Sequence, residues 1–176
     1  MSGTGRDPSV RRFAADEWQI YRDLRLRALA DAPDAFARTH SEEADYPDER
    51  WEARLADGAG LASALALVGE SAGKPVGLGW GRIDPSTPEE AHVYQMWVAQ
   101  EARAHGIGRM LLEAIVEWAS ASNAHSLSLG VTCGDTPALR LYRAAGFEPV
   151  GEPEPLRPGS ALLAQTMTLP LPRVSA

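Results

Sequence analysis

The run Arg103-Ala-His-Gly106-Ile-Gly108-Arg109 sets two glycines and two guanidinium groups in a short loop. Before it stands a β-branched, apolar segment ending at Val98; after it, an apolar stripe of helical period opens at Ile107. Such a join suits a phosphate. The first N–H groups of a helix lack intrahelical acceptors, and the helix dipole leaves them electropositive. Gly106 and Gly108 bring no side chain to hold an anion away from that backbone, and Arg103 and Arg109 add charged donors. A dinucleotide fingerprint is excluded, because position 111, three after Gly108, is a leucine. The segment Gly69 to Pro75 fails as a P-loop: it is one residue short and has Pro75 where a hydroxyl belongs. It reads as a hairpin turn.

The elements that must hold this loop emerge from periodicity. Val10 to Phe13 predicts a first strand, and Asp16 an N-cap for a helix carrying Trp18, Tyr21, Leu24 or Arg25, Ala28 and Leu29. Pro47-Asp48 starts a second helix, ending at Gly58. Leu61–Val68, Val76–Ile83 and Ala91–Val98 read as three strands. The strongest helix starts at Gly106, with Ile107, Met110, Leu111, Ala114, Ile115 and Trp118 on one stripe. His125–Thr132 is a strand, and Asp135 caps a helix with Pro137 in its first turn that stops at Gly146. Phe147–Val150 and Leu162–Leu169 close the sheet. The order β-α-α-β-β-β-α-β-α-β-β predicts an α+β fold: a mixed, mostly antiparallel sheet of about 6–7 strands with about 4 helices. Residues 10–171 read as one domain, with 1–9 and 172–176 as flexible tails.

Composition narrows the partners. The 17 basic and 24 acidic residues leave a net charge of −7, which disfavours nucleic acid, whose affinity rests on phosphate neutralisation. No apolar run approaches the ~20 residues of a membrane span, and MSGTGRDPS lacks the apolar core of a signal peptide. The lone Cys133 permits no internal disulfide, so a reducing, cytoplasmic setting is expected. His40, His92, His105 and His125 show no metal-ligand spacing, so no metal is expected.

Two segments together resemble the GNAT acetyltransferase superfamily. Arg103-Ala-His-Gly106-Ile-Gly108 is similar to its Gln/Arg-x-x-Gly-x-Gly/Ala motif, and Asp135-Thr-Pro-Ala138-Leu-Arg-Leu141-Tyr142-Arg-Ala-Ala-Gly146-Phe147 to its Asn-x-x-Ala-x-x-Leu-Tyr-x-x-x-Gly-Phe. They stand in the family's order and cover Met96 to Phe147. Asp135 replaces the usual Asn, and an anion there is unsuited to a coenzyme A contact.

The resemblance implies an acetyl-CoA-dependent N-acetyltransferase acting on a primary amine of a small molecule or peptide by direct attack; a silent acyl-CoA-binding module is the alternative. It implies that the strand ending at Val98 splays from the strand Leu127–Thr132, with the pantetheine arm between them on Met96, Trp97 and Val98. The residues Arg103, Ala104, His105, Gly106, Ile107, Gly108 and Arg109 would surround the pyrophosphate. Tyr142 is the implied general acid. The family's base is in some members a glutamate at the position of His92; imidazole, with a reference pKa of about 6.5, suits the task. Glu90 and a water relay are its rivals. Strand alternation places His92, Tyr94, Met96 and Val98 on one face. Cys133, near the expected thioester, reads as a small buried hydrophobe. Glu42, Glu43 and Asp45 with Phe36, Tyr46 and Trp51 offer an acidic, aromatic-walled acceptor site for a cationic amine, against an ordinary solvated face. Homodimerisation through Leu162–Leu169 is a further possibility the family suggests.

Overall fold

The computed structural model describes residues 7–173. Of the predicted flexible tails 1–9 and 172–176, residues 1–6 and 174–176 lie outside them, and Ser9 belongs to the first strand rather than to a tail. The elements are β1 (Ser9–Arg12), α1 (Trp18–Asp31), α2 (His40–Ala44), α3 (Asp48–Gly60), β2 (Ala64–Ser71), β3 (Lys74–Ile83), β4 (Glu90–Val98), α4 (Ile107–Ala121), β5 (Ser126–Thr132), α5 (Pro137–Ala144), β6 (Glu148–Pro149), β7 (Glu154–Pro155) and β8 (Leu163–Pro170). They form the expected α+β fold, with an 8-stranded sheet in the order β1-β2-β3-β4-β5-β8-β6, and β7 also paired to β8. Every pairing is antiparallel except β4 with β5.

Local chemistry explains where the helices differ from expectation. Asp16 does not cap α1: the N-cap is Glu17, without a side-chain cap bond, and its carboxylate accepts from Arg11 and the Ala14 N–H instead. The unforeseen α2 is closed at its start by a capping box in which Thr39 accepts from the Glu42 N–H and Glu42 from the Thr39 N–H. Thr136, not Asp135, caps α5, accepting from the Leu139 N–H; Asp135 pairs with Arg140 at 2.8 Å.

Along α1 the buried residues are Tyr21, Leu24, Arg25, Ala28 and Leu29, the i, i+3, i+4, i+7, i+8 face of a helix lying on a sheet. Helix α4 covers the other face of the sheet. It lies close because β2 and β3 offer glycines beneath it: a Cβ on Gly69 would sit 2.6 Å from Ile107, and one on Gly81 2.6 Å from Trp118. These missing side chains fix the height and direction of α4, and so the position of its N-terminus.

The expected alternation of β4 does not hold along its whole length. The β3–β4 register runs Trp80↔Tyr94 and then Leu78↔Trp97, so β4 carries one extra residue. That residue sits at Gln95, whose φ of 55° is left-handed. A bulge of this kind reverses the facing of the residues beyond it. Met96 and Val98 therefore face α4, near Gly79 and Gly77, whereas Tyr94, paired with Trp80, points to the α1–α3 side. The Gln95 side chain holds the distortion by accepting from the Tyr21 hydroxyl at 2.9 Å. Strand β8 is paired with β5 on one edge and with β6 and β7 on the other, so a dimer cannot add a strand to it.

Candidate active site

The parallel β4–β5 ladder has only three register pairs, Glu90↔Ser126, Ala91↔Leu127 and His92↔Ser128. Beyond them the strands part, leaving backbone groups of β4 from Val93 onward facing an open gap. A cleft of about 1220 Å³ fills that gap and runs toward α2 and α3; its walls include His92, Tyr94, Met96, Leu129 and Tyr142.

At the far end of β4, the chain turns into α4 through two left-handed residues, Ala104 (φ 64°) and Gly106 (φ 83°). Gly106 is the N-cap, with no side chain over the first turn. Among the described residues, the N–H groups of His105, Ile107, Gly108 and Arg109 meet no acceptor, and the first helical bond is Met110 N–H to the Gly106 carbonyl at 3.0 Å. A Cβ on Gly106 would touch nothing within 4 Å, and one on Gly108 would meet only Leu141 at 3.5 Å and Val98 at 3.8 Å. The cradle is open and electropositive, as a pyrophosphate requires. The Leu141 contact brings α5, and with it Tyr142, beside this helix start.

The two arginines of the loop differ. Arg103 does not face the cradle: its Nε donates to the Val98 carbonyl at 3.0 Å and its Nη2 to Asp31 at 2.5 Å. Asp31 also accepts from the Trp97 indole N–H at 2.9 Å, so this carboxylate ties α1 to the end of β4 and to the loop. That indole bond, joined by the Arg103 bond and the charges of Arg103 and Arg27, outweighs the desolvation cost and holds the Asp31 carboxyl below its ordinary range. The Trp97 indole is thus a buried anchor for the end of β4. Arg109 is exposed and paired only with Glu113 one turn along, at 2.7 Å. The His105 ring caps the Arg103 carbonyl through Nδ1 at 2.8 Å.

Tyr142 is buried on α5, and its phenol is pushed up to about 12 by burial alone. His92 is half-buried in the cleft wall with its ring 6.1 Å from that of Tyr94. Glu90 lines the same cleft. Cys133 is exposed at the end of β5, not buried as expected. Among the described residues no group of three His, Cys, Asp or Glu side chains is disposed to hold a metal ion.

The acidic acceptor wall does not form. Glu42 is spent on the Thr39 cap, Trp51 is fully buried in the core, and Glu43 is buried between two arginines. Arg25 grips Glu43 with two bonds of 2.9 and 3.0 Å, and Arg54 adds one of 3.1 Å. Burial alone would raise the Glu43 carboxyl, but these bonds and charges prevail and lower it. The group therefore contributes stability above the ordinary carboxylate pKa, lost as pH falls through the depressed folded value. Removing one member strands the other charges. Glu43→Ala is expected to cost about 3–5 kcal/mol, which thermal unfolding would show as a Tm loss of roughly 6–20 °C at neutral pH. Sequence reasoning missed this cluster and the arginines around it. The signal within the sequence was Arg25, four residues from both Tyr21 and Leu29 on the buried face of α1.

Residues 20–147 match the acetyltransferase (GNAT) family model, and the chain belongs to that family, whose co-substrate is acetyl-CoA. A mycothiol acetyltransferase of Pseudarthrobacter chlorophenolicus is 30% identical over 123 residues, 68% of this chain and 36% of that one. The mycothiol acetyltransferase of Clavibacter sepedonicus is 30% identical over 135 residues, 77% and 41% of the two chains. The chain thus spans about two-fifths of the length of these curated relatives. Among solved structures, Salmonella typhimurium yncA, determined with its cofactor acetyl-CoA, has a TM-score of 0.76 at 18% identity over 96% of each chain.

Proposed function

We propose that the protein moves an acetyl group from acetyl-CoA to a primary amine of a small molecule or peptide, the amine attacking directly while both substrates are bound. The observation that carries this reading is the junction of the β4–β5 gap with the uncapped start of α4. An extended chain bearing amides at one end and a pyrophosphate at the other fits that path. The exposed edge of β4 pairs with the amides as it would with an added strand. The free N–H groups from His105 to Arg109, with the exposed Arg109 guanidinium, hold the diphosphate.

Acetyl-CoA supplies the activated acetyl group; this chain supplies the proton handling and the polarising dipoles. An alkylammonium, pKa near ~10.4, must lose a proton before attack. His92 faces the cleft and takes that proton, directly or through water, because imidazole is the base that titrates closest to neutrality. A β4 backbone N–H beside the gap stabilises the oxyanion. Tyr142, kept protonated by burial, donates toward the departing sulfur.

The test is release of the coenzyme A thiol over a broad amine panel, run beside acetyl-CoA titration. Amine-dependent release supports the transferase; tight binding with no release for any amine would make the chain a binding module.

A further inference from the structure

The charge of the acceptor side is opposite to that of the whole molecule. In a chain of net charge −7, the cleft wall carries five guanidinium groups, Arg25, Arg38, Arg50, Arg54 and Arg82, against three carboxylates, Glu43, Asp57 and Glu90. Glu43 is already shared by Arg25 and Arg54. Arg38, Arg50 and Arg82 form no ion pair with any described carboxylate; elsewhere Arg11, Arg22, Arg27, Arg103, Arg109 and Arg140 do, while Arg12, Arg143, Arg157 and Arg173 do not, so it is the grouping of three unpaired guanidinium groups on one cleft wall that sets this site apart. Arg25 Nη1 is buried without an acceptor, so the cluster is short of anionic partners even in its interior.

These cations are not placed for the diphosphate. Arg82 pairs in register with His92, six residues before Val98, about 20 Å along the strand from where the α4 loop begins. No residue of that loop lines this cleft. Arg50 sits on α3 with its guanidinium 3.5 Å from the Tyr46 ring centre, which leaves its edge N–H groups outward. A polyamine or another purely cationic acceptor would meet like charge here.

We propose, resting on the acetyl-transfer reading above, that the acceptor is an amine that also carries a carboxylate, of the amino-acid type, bound through Arg82 and Arg50. The planar guanidinium fork matches a carboxylate with two parallel bonds. Side chains at directly opposed strand positions start about 5 Å apart, so Arg82 and His92 can take the carboxylate and the amine of one α-amino acid.

The test uses the full chain and matched pairs: phenylalanine with phenethylamine, tyrosine with tyramine, lysine with cadaverine. Acetyl-CoA titration is run on every variant. Wild type is expected to use the carboxylate member of at least one pair about tenfold or more better in kcat/KM. In Arg82→Gln and Arg50→Gln the KM of that member rises about tenfold with kcat little changed, and acetyl-CoA affinity stays at the wild-type value. Equal use of both members, preference for the decarboxylated member, or no use of any carboxylate member while acetyl-CoA binds would overturn the inference. Failure of acetyl-CoA to bind the wild type would instead overturn the transferase reading beneath it.

Discussion

Wild-type protein is expected to bind acetyl-CoA with a micromolar Kd, and Gly108→Glu to show no measurable binding heat while remaining folded. Both halves rest on the surroundings of Gly108. A Cβ there makes only ordinary contacts, with Leu141 at 3.5 Å and Val98 at 3.8 Å, so the larger side chain needs no backbone shift. Gly108 is the second residue of α4, where a carboxylate interacts favourably with the helix dipole, so stability should hold or rise slightly. The same carboxylate takes the free N–H groups and sets a negative charge where the diphosphate belongs. Losing several charge-assisted bonds at once corresponds to at least about a hundredfold in affinity, since each is worth roughly 1.5–3 kcal/mol. Gly108→Ala is the control and should bind nearly as wild type. If Gly108→Glu binds like the parent, the diphosphate does not lie on α4.

Tyr142→Phe is expected to lower kcat by about 10- to 100-fold, with the KM for acetyl-CoA and the Tm close to wild type. General acids contribute roughly 10²–10⁴ in rate, and the effect here falls at or below the foot of that range for a reason visible in the structure. The phenol, pushed up to about 12, is a weaker acid than a thiol of pKa near ~8.5, so full transfer to the leaving sulfur is uphill. What remains is a hydrogen bond that strengthens as charge builds on sulfur. Deleting one oxygen leaves the ring and its packing with Phe147, whose centroid is 5.9 Å away, so the fold is spared. Because the wild-type phenol stays protonated, its ionisation should add no falling limb to the pH–rate profile below about pH 11. A kcat unchanged in Tyr142→Phe would assign the proton to another donor.

The parts of this arrangement that are legible in the sequence are those written locally. The strand–loop–helix around Gly106 and Gly108, the Pro137 helix start and the order of strands all rest on neighbours along the chain. Thr39-x-x-Glu42 is local too, a capping signal that marks α2 although no long apolar stripe accompanies it. The bulge is not legible: nothing in Tyr94-Gln95-Met96 announces an extra residue, which exists only relative to the register with β3. The cationic wall is hidden for a similar reason. Arg38, Arg50 and Arg82 stand on three separate segments, and the nearby acidic run Glu42-Glu43 suggests the opposite charge until packing consumes both carboxylates.

The brief β4–β5 ladder also bears on how the molecule comes apart. Three register pairs join an antiparallel block of β1 to β4 to a second block of β5 to β8; the shared core under α4 and bonds from Thr132 and Arg157 to the backbone of residues 33–36 reinforce that seam. In the language of cooperative units, this seam is where the fold is expected to open first, which amide hydrogen exchange of β5 and β8 against β2 and β3 would show. A ligand lying in the gap and bonding to both sides would act as a missing strand, joining the units into one. Occupancy of the donor site and mechanical unity of the fold are then a single property, and the unliganded protein is the more divisible of its two states.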